Sequence, residues 1–582
     1  MKTRSNRLNN GYIGDSNLTT PIDGIISSNQ RYLDVEESFS GLEGLYPYRR
    51  PNEWIAMPSV TAGQQIFIGT FAVYDTDENL AVLNVNTSTG NYLVDWGNGT
   101  TSSHSSASTA SKRYTRADYA GLTSAVYQNY KTLNITVTPV TGNITSMTLN
   151  VELAGVFFLL ARRSRNWLDI RASLPNATTV TLNSTKSLQQ FELINSNSLN
   201  NCDSMFSDCW GLKRVFIADT SKVTSFSRMF QNCYSLYELP QMNTRNGTSF
   251  YAFALTCISL KYIPNLNLEN ATSLGQAFQT CYSLKTVPFL NAPKVTDMVQ
   301  CFSDCYNLEY VPYLHTPLVT NYANAFSNCY SLKKIGKINT SSATTMASTF
   351  FGCFKLKTIP LLNTSNVTNF AGTFYDCFNL NYIPNLNTSS ATNMSNMFRR
   401  CQNLKQAPNF NTSNVAFFNN MFFNTPTLEY VPNYNLEKGV NFSNMFSGCS
   451  NLKTWDVTYN GPTTGVTLET TAFQGLFSDT WSLIGLSFWN FSAATGSSYA
   501  NVFSNIFNAN YSLMYIGFTG ISQNFSVAYN WFGSTALNNI YTSLAVVGAS
   551  GSGTKTINVT ECIGAPNDNP NIAIQKGWAV TG

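Results

Sequence analysis

The chain has 582 residues and a formal net charge of +4 from 35 basic and 31 acidic side chains, too small an excess to mark a nucleic-acid or anionic-membrane binder. Charged residues make up 11%, against about 25% in an ordinary soluble protein, while aromatics reach 13%; the composition is rich in neutral amides and hydroxyls, yet not that of a disordered chain. With His104 and His315 as the only histidines, a histidine triad or multi-histidine metal site is nearly excluded, and the apolar run Val156-Phe157-Phe158-Leu159-Leu160-Ala161 is too short to span a bilayer.

The first residues, Met1-Lys2-Thr3-Arg4-Ser5, lead into no apolar stretch of the kind a secretory signal needs, so none is expected. Residues 1–52 hold too few periodic apolar positions for a core of their own. They are expected to form an extended attachment arm that becomes ordered on a partner, with Tyr12, Ile13, Ile25, Ile26, Tyr32 and Leu33 as its docking residues. The wording of Gly11-Tyr12-Ile13-Gly14-Asp15 and Gly24-Ile25-Ile26-Ser27 resembles N-terminal segments of tailed-phage virion proteins.

Residues 53–140 carry strand composition in Gln65–Tyr74 and Lys131–Thr138. Between them, Val94-Asp95-Trp96-Gly97-Asn98-Gly99-Thr100 runs from a strand into an Asn-Gly turn signal. This phrase, followed by a tyrosine-containing segment and an Ile-Thr-Val-Thr strand, resembles the PKD-type, immunoglobulin-like β-sandwich. The resemblance implies a spacer or carbohydrate-associated module. Residues 141–184 are assigned as a connector and N-terminal cap, with Arg162-Arg163-Ser164-Arg165 as a solvated junction or protein contact.

From 185 to 456 the chain repeats every 24 residues. Cys209, Cys233, Cys257, Cys281, Cys305, Cys329, Cys353, Cys377, Cys401 and Cys449 stand on one comb, with Thr425 in the remaining slot. An aromatic stands three residues before each slot, from Phe206 to Phe446, broken only at Ala254; a leucine stands three after, from Leu212 to Leu452. A period of this size lies in the range of about 20–29 residues typical of leucine-rich repeats, whose units bury their apolar faces only by stacking. In one unit, Met298, Phe302 and Cys305 are spaced as on one face of a helical segment, and Leu308, Val311 and Leu314 lead through an extended segment ended by Pro312. At the Asn363-Thr364-Ser365 and Asn387-Thr388-Ser389 corners, the asparagine is expected to take left-handed angles and bond the neighbouring rung.

The phrase Asn387-Thr388-Ser389-Ser390-Ala391-Thr392-Asn393-Met394-Ser395-Asn396-Met397-Phe398-Arg399-Arg400-Cys401-Gln402-Asn403-Leu404 resembles the BspA-like family of leucine-rich repeats. That resemblance implies a leucine-rich-repeat solenoid of mixed α/β repeats, preceded here by the arm and the all-β sandwich. It departs at 242–257, where Gly247 and Ala254 replace core residues. Residues 457–545 are divergent repeats; 546–582, with Lys555–Val559 and Lys576–Val580, form a C-terminal cap.

Since threonine can fill a comb slot, the cysteines are expected to be buried, unpaired core residues and not a disulfide or metal ladder. On that view Cys305→Ser should lose about 1–3 kcal/mol, because a buried hydroxyl needs a partner. No motif for nucleotide binding, metalloprotease or serine-hydrolase chemistry is present, and Asp304, Glu309, Asp376 and Glu429 are isolated. The expectation is a protein without catalysis, cofactor or metal.

Two aromatic columns remain. Trp210, Tyr234, Tyr282, Tyr306, Tyr330, Phe354 and Phe378 follow the comb; they are either a stacking surface or a seal between rungs. Tyr262, Tyr310, Tyr382 and Tyr430 form a second column and a candidate binding surface, because tyrosine offers apolar area with a polar tip. The whole is expected to be a structural virion surface protein of a tailed phage, a tail fibre or tail-associated adhesin, assembled in the host cytoplasm in multiple copies per particle. Its partners would be other virion proteins through the arm and host-surface polysaccharide or protein, with no nucleic acid and no membrane insertion. A capsid decoration or head fibre, and a BspA-like adhesin on a bacterial cell surface, are the alternatives.

Overall fold

The alternating strands of the N-terminal third fold into two sheets with a shared interior. They are β1 (Ile66–Tyr74), β2 (Asn79–Thr87), β3 (Asn91–Asp95), β4 (Thr101–Ser105), β5 (Thr109–Tyr114), β6 (Tyr130–Pro139), β7 (Ile144–Thr148), β8 (Trp167–Ser173), β9 (Thr179–Thr181), β10 (Gln190–Asn195) and β11 (Arg214–Ile217). In the computed structural model the described residues are 48–61, 63–149, 166–455, 466–469, 472–490, 513–522, 524–548 and 555–582, with Val457 and Tyr459. Tyr12, Ile13, Ile25, Ile26, Tyr32, Leu33 and the Arg162-Arg163-Ser164-Arg165 cluster lie outside them.

One sheet has the order β11-β10-β8-β1-β6-β3-β4, the other β5-β2-β7-β9. Phe67, Phe71, Val94, Ile135 and Val137 from the first meet Ala81, Leu83, Val85 and Met147 from the second in one core. The Asn-Gly signal lies at the β3–β4 hairpin, where Gly97 and Gly99 take φ of 73° and 82° and the Trp96 amide donates to the Thr100 carbonyl at 3.0 Å. Gly69 on β1 has a separate role: a side chain there would run into the Trp167 ring. β7, β8 and β9 come from the segment assigned as a connector, so the boundary drawn at residue 140 falls inside these sheets. β8 is antiparallel to β1 on one side and parallel to β10 on the other, which joins the antiparallel part to the stacked part without an open edge.

From β11 onward the chain forms stacked 24-residue coils. Parallel bridges at fixed register run Asn201↔Ser225↔Ser249↔Ser273↔Asp297↔Asn321 and on to Asn441. The segment after each bridge was expected to be helical. It is instead a run of tight turns, and residues 200–455 contain no helix. In the coil around Phe302 the amides alternate: those of Cys301, Ser303 and Cys305 donate within the coil to Met298, Gln300 and Phe302, while those of Met298, Gln300, Phe302 and Asp304 donate to the next coil. Two residues of this run, four apart, are left-handed, Gln300 (φ 55°) and Asp304 (φ 62°), and the same two positions recur through Asn420 and Asn424. The apolar spacing of Met298, Phe302 and Cys305 suits this turn run as well as a helix, since inward residues come every three or four positions around the whole coil. The helical part of the mixed α/β reading is therefore corrected: the helices described are Arg116–Gly121 (α1), Ser534–Ser543 (α2), the one-turn Asn571–Ile574 and a short 3-10 turn.

Side chains complete the rungs. Phenylalanines of successive coils stack, with Phe302 and Phe326 centroids 5.6 Å apart and nearly parallel. Where Ala254 interrupts the column, Phe253 places its ring edge-on between Phe230 and Phe278, at 5.5 and 6.1 Å. Gly247 makes room for the neighbouring Phe226 and Phe250 rings. All thirteen cysteines are free and buried. Each comb thiol from Cys233 to Cys449 donates to the carbonyl of the preceding coil's comb aromatic (Ala254 for Cys281), as Cys305 Sγ does to Phe278 at 3.2 Å, and Thr425 Oγ1 makes the same bond to Phe398 at 2.9 Å. A partner thus awaits a hydroxyl at position 305, which removes the reason given for a penalty in Cys305→Ser.

The Asn-Thr-Ser corner also differs from expectation. Asn363 Oδ1 accepts from the amide of Ser365 in its own turn at 3.2 Å, and neither Asn363 nor Asn387 is left-handed. The residue that bonds the neighbouring rung is the buried threonine: Thr364 Oγ1 donates to the Asn387 carbonyl at 2.7 Å and Thr388 Oγ1 to that of Asn411 at 2.9 Å.

Beyond Trp455 the stack continues through parallel pairs of Thr454–Trp455, Gly485–Asn490 and Tyr515–Thr519. α2 buries Leu537, Ile540 and Tyr541 against it. Lys555–Asn558 pairs in parallel with both Phe525–Ser526 and Trp578–Thr581, so the segments assigned to the cap lie side by side.

Candidate binding face

After each ladder leucine come two outward residues, an inward apolar residue and then, in most coils, proline. Ile263, Val311, Ile383 and Val431 are buried, so the residue before each projects outward, as alternation along an extended segment requires. Parallel bridges hold that register: Glu238 to Tyr262, Thr286 to Tyr310, Gln406 to Tyr430, and Tyr310–Val311 to Lys334–Ile335. Tyr262, Tyr310, Tyr382 and Tyr430 are 53%, 41%, 62% and 57% exposed. The four tyrosines chosen from sequence therefore share one face. At about 4.8 Å per coil, they stand about 10 or 14 Å apart, two or three coils from one to the next.

Two neighbours of this column were missed. One residue before it runs a lysine column: Lys213, Lys261, Lys285, Lys333, Lys357, Lys405 and Lys453, interrupted by Tyr237, Glu309, Asn381 and Glu429. Lys333 pairs with Glu309 at 2.6 Å, and that ammonium holds the Glu309 carboxyl below its usual value. Lys261 leans on the Tyr237 ring, 4.8 Å from its centroid. Three residues beyond the tyrosine column, exposed Phe289 and Tyr313 stack with centroids 5.6 Å apart. The signal was present in the recurring Leu-Lys-x-x-Pro phrase, but a scattered lysine looks like ordinary solvated charge until the coils align it.

The other aromatic column is a seal. Tyr282, Tyr306, Tyr330, Phe354 and Phe378 stack in sequence at 4.5–4.7 Å, buried or half-buried. Lys186 covers Trp210 at 3.2 Å, and Arg400 covers Phe378 at 5.3 Å. Burial pushes the Tyr306 phenol well above its ordinary range.

The isolated carboxylates serve the stack. Asp304 accepts from Asn328 Nδ2 in the next coil at 2.8 Å. Asp376 lies 3.1 Å from the Arg400 guanidinium; burial pushes its carboxyl up to about 6, with Arg400 and Arg399 pulling the other way. Burial likewise pushes the Cys209 and Cys257 thiols up to about 12, so neither is poised as a thiolate nucleophile near neutral pH. Among the described residues no three histidine, cysteine, aspartate or glutamate side chains group as metal ligands, and no helix is long and apolar enough to cross a membrane.

Overlapping segments at 200–311, 244–359, 296–408, 320–431, 354–459 and 407–514 match the family described as Mycoplasma protein of unknown function, DUF285. The chain belongs to this family. The DUF285 repeats extend past the regular comb into the divergent units as far as residue 514. No curated protein matches the chain in sequence. Among solved structures it is similar to TLR13 in a complex with ssRNA13, at 14% identity over 67% of this chain and 65% of that one, with a TM-score of 0.20. It is also similar to the plant peptide hormone receptor RGFR1 in complex with RGF2, at 12% identity over 76% and 77% of the two chains and a TM-score of 0.19. A third similarity is to the Drosophila Toll–Spatzle complex, at 13% identity over 70% and 55%, with a TM-score of 0.17. The chain spans less than two thirds of the length of the first and third of these, and overlaps this low carry no inference to its ligands.

Proposed function

We propose that this DUF285-repeat protein is an attachment protein: a leucine-rich-repeat solenoid that adheres to a host surface, with glycan as the ligand, and does no catalysis. The observation that carries the reading is the outward column Tyr262, Tyr310, Tyr382 and Tyr430, three of whose members, Tyr262, Tyr310 and Tyr430, are held in register by main-chain bridges. Evenly spaced rungs present the tyrosines as repeated weak sites, and such contacts add by avidity when the ligand is itself repetitive. The two-sheet unit at its N-terminal end would act as an immunoglobulin-like, PKD-type spacer.

The setting we favour is the outside of a tailed-phage virion, as a tail fibre or tail-associated protein, with a capsid decoration or head fibre as its variant. Support comes from the resemblance of residues 1–52 to virion arms. The second setting, a BspA-like adhesin on a bacterial cell, is favoured equally by the family match, whose description names a cellular organism. Immunogold electron microscopy with antibody to the 24-residue array, applied to purified phage particles and to uninfected source cells, separates them. Label on tails supports the fibre, label over capsids the decoration, and label on cell envelopes alone overturns the virion setting. Attachment itself is tested by binding of the purified chain to host cells. Replacement of the four tyrosines by alanine should abolish binding, and undiminished binding would overturn the role of this face.

A further inference from the structure

We infer that the ligand of this face is an acidic polysaccharide, lying along the stacking axis with its carboxylate or sulfate groups on the lysine column and its sugar rings on the tyrosines. The inference rests on the attachment reading above and adds the chemical class of the ligand.

Three observations carry it. The lysine and tyrosine columns are adjacent along the stack: Lys261-Tyr262 puts both in one coil, while Tyr310, Tyr382 and Tyr430 follow Glu309, Asn381 and Glu429 and have Lys285, Lys333, Lys357, Lys405 or Lys453 in the coils next to them. Lys285, Lys357 and Lys405 are exposed on this face. The cations are almost all lysine. An ammonium is a point charge with three donors on a flexible stem, suited to anions at variable positions, whereas the fork of arginine suits one fixed bidentate partner. The rings also have sugar-like dimensions of contact: flat apolar area, with a hydroxyl at the rim for the hydrogen bonds of a polyol. At Phe289 and Tyr313 two exposed rings stack into a broader platform, with Lys285 one side in sequence and Lys337 the other.

Charge density decides between an acidic glycan and a nucleic acid. A duplex presents one phosphate per about 1.7 Å of axis, or about 3.4 Å per strand. The column offers at most one lysine per coil, about 4.8 Å. It also places Glu309 and Glu429 in the same line, and Glu309 already holds Lys333. Such a stripe is too sparse, and too often interrupted by carboxylate, for a phosphate backbone. It matches a polysaccharide that carries no more than one charge per sugar ring.

The test is affinity electrophoresis of the full chain in native gels containing alginate, neutral dextran or poly(dT), with binding to source cells measured in parallel. Alginate should retard the chain strongly and dextran should not. The triple variant Lys285→Gln, Lys357→Gln, Lys405→Gln should weaken alginate binding about tenfold and flatten its salt dependence. The pair Tyr310→Ala and Tyr382→Ala should weaken it while leaving the salt dependence in place. All of these side chains are outward, so unchanged circular dichroism is the control for folding. Alginate retardation that survives the lysine changes overturns the inference, as does retardation indifferent to the tyrosines, which would be plain ion exchange. Tighter retention by poly(dT) than by alginate would assign the face to nucleic acid. Dextran binding equal to alginate binding, lost with the tyrosines, would sink the acidic class and leave glycan attachment standing. Cell binding without retardation by any polysaccharide would remove the glycan but keep attachment, and absence of both would remove both.

Discussion

Thr425 is the natural experiment in the cysteine comb, and its replacement measures what the comb is for. Its Oγ1 donates to the Phe398 carbonyl at 2.9 Å, and that carbonyl also accepts the Cys401 amide at 3.1 Å. Thr425→Val keeps the shape of the side chain and removes only the donor. Because the Cys401 amide stays, the carbonyl is not orphaned. The loss should therefore be that of one ordinary net hydrogen bond, about 0.5–1.5 kcal/mol, and not the larger cost of an unsatisfied buried group. The reverse change should be tolerated. At Cys329, whose thiol donates to the Phe302 carbonyl at 3.2 Å, threonine supplies an equivalent donor and should cost less than about 1 kcal/mol, while valine should cost more than threonine. Urea midpoints and slopes for the four proteins, followed by circular dichroism, give these differences. If Thr425→Val is as stable as the parent, or Cys329→Thr and Cys329→Val are equal, the slot is selected for volume alone and the donor argument fails.

Thr280 is β-branched yet sits at φ 63°, where an L-residue other than asparagine or glycine is strained, so Thr280→Asn should raise stability by about 1 kcal/mol in the same assay. Ala254→Phe should destabilise by about 1–3 kcal/mol, because the Phe253 ring already occupies the gap in the stack; adding Phe253→Ala should recover most of that loss, and a double mutant no better than the single would refute the substitution of one ring for the other. Asp376 has its folded-state carboxyl raised from 3.8 to about 6, so the folded protein holds a proton that the unfolded chain has already released. Stability from this group must then fall as pH rises from about 4 to 6, by about 1–2 kcal/mol once partial exposure and screening are allowed for. Asp376→Asn should flatten that part of the pH profile and be the more stable protein at pH 7; an unchanged profile would show that the Arg400 pair offsets the burial.

The inward columns were legible because each is a single residue type at a constant interval, and burial tolerates little else. Phe302, Cys305 and Leu308 needed only to be counted. The backbone between them was not legible from those residues, since an apolar interval of four then three satisfies a helix and a run of tight turns alike. The discriminating signal lay in polar positions: Asp208, Asn232, Asp304, Asn328, Gly352, Asp376, Asn424 and Gly448 share one column, and these residue types tolerate left-handed backbone. A helix has no use for such a column at every turn. The Asn-Thr-Ser corner misled for a related reason. Asparagine and threonine both serve turns, and only burial of Thr364 and Thr388 shows that the threonine spans the coils while the asparagine closes its own turn.

The same construction explains why a binding face could be found in part from sequence and not completed. Main-chain bonds, thiols and corner threonines join the coils in a regular pattern, whereas outward contacts such as Lys333–Glu309 and Phe289–Tyr313 occur between particular coils. Those residues are therefore free to vary from coil to coil, and the face alternates tyrosine, threonine, lysine and glutamine in one column. Variation of this kind hides a site from any search for a recurring motif. Yet it is what allows a repetitive frame to carry a particular ligand, because the coil spacing is set by the backbone and the order of side chains alone decides where rings and charges fall. Exchanging the outward residues of two coils, first Lys357-Thr358 with Lys405-Gln406 and then Lys285-Thr286 with Lys261-Tyr262, separates the two contributions. The first exchange should leave both folding and ligand affinity unchanged, whereas the second should leave folding unchanged and alter affinity. A loss of folding in either case would mean that the outward columns also hold the coils together.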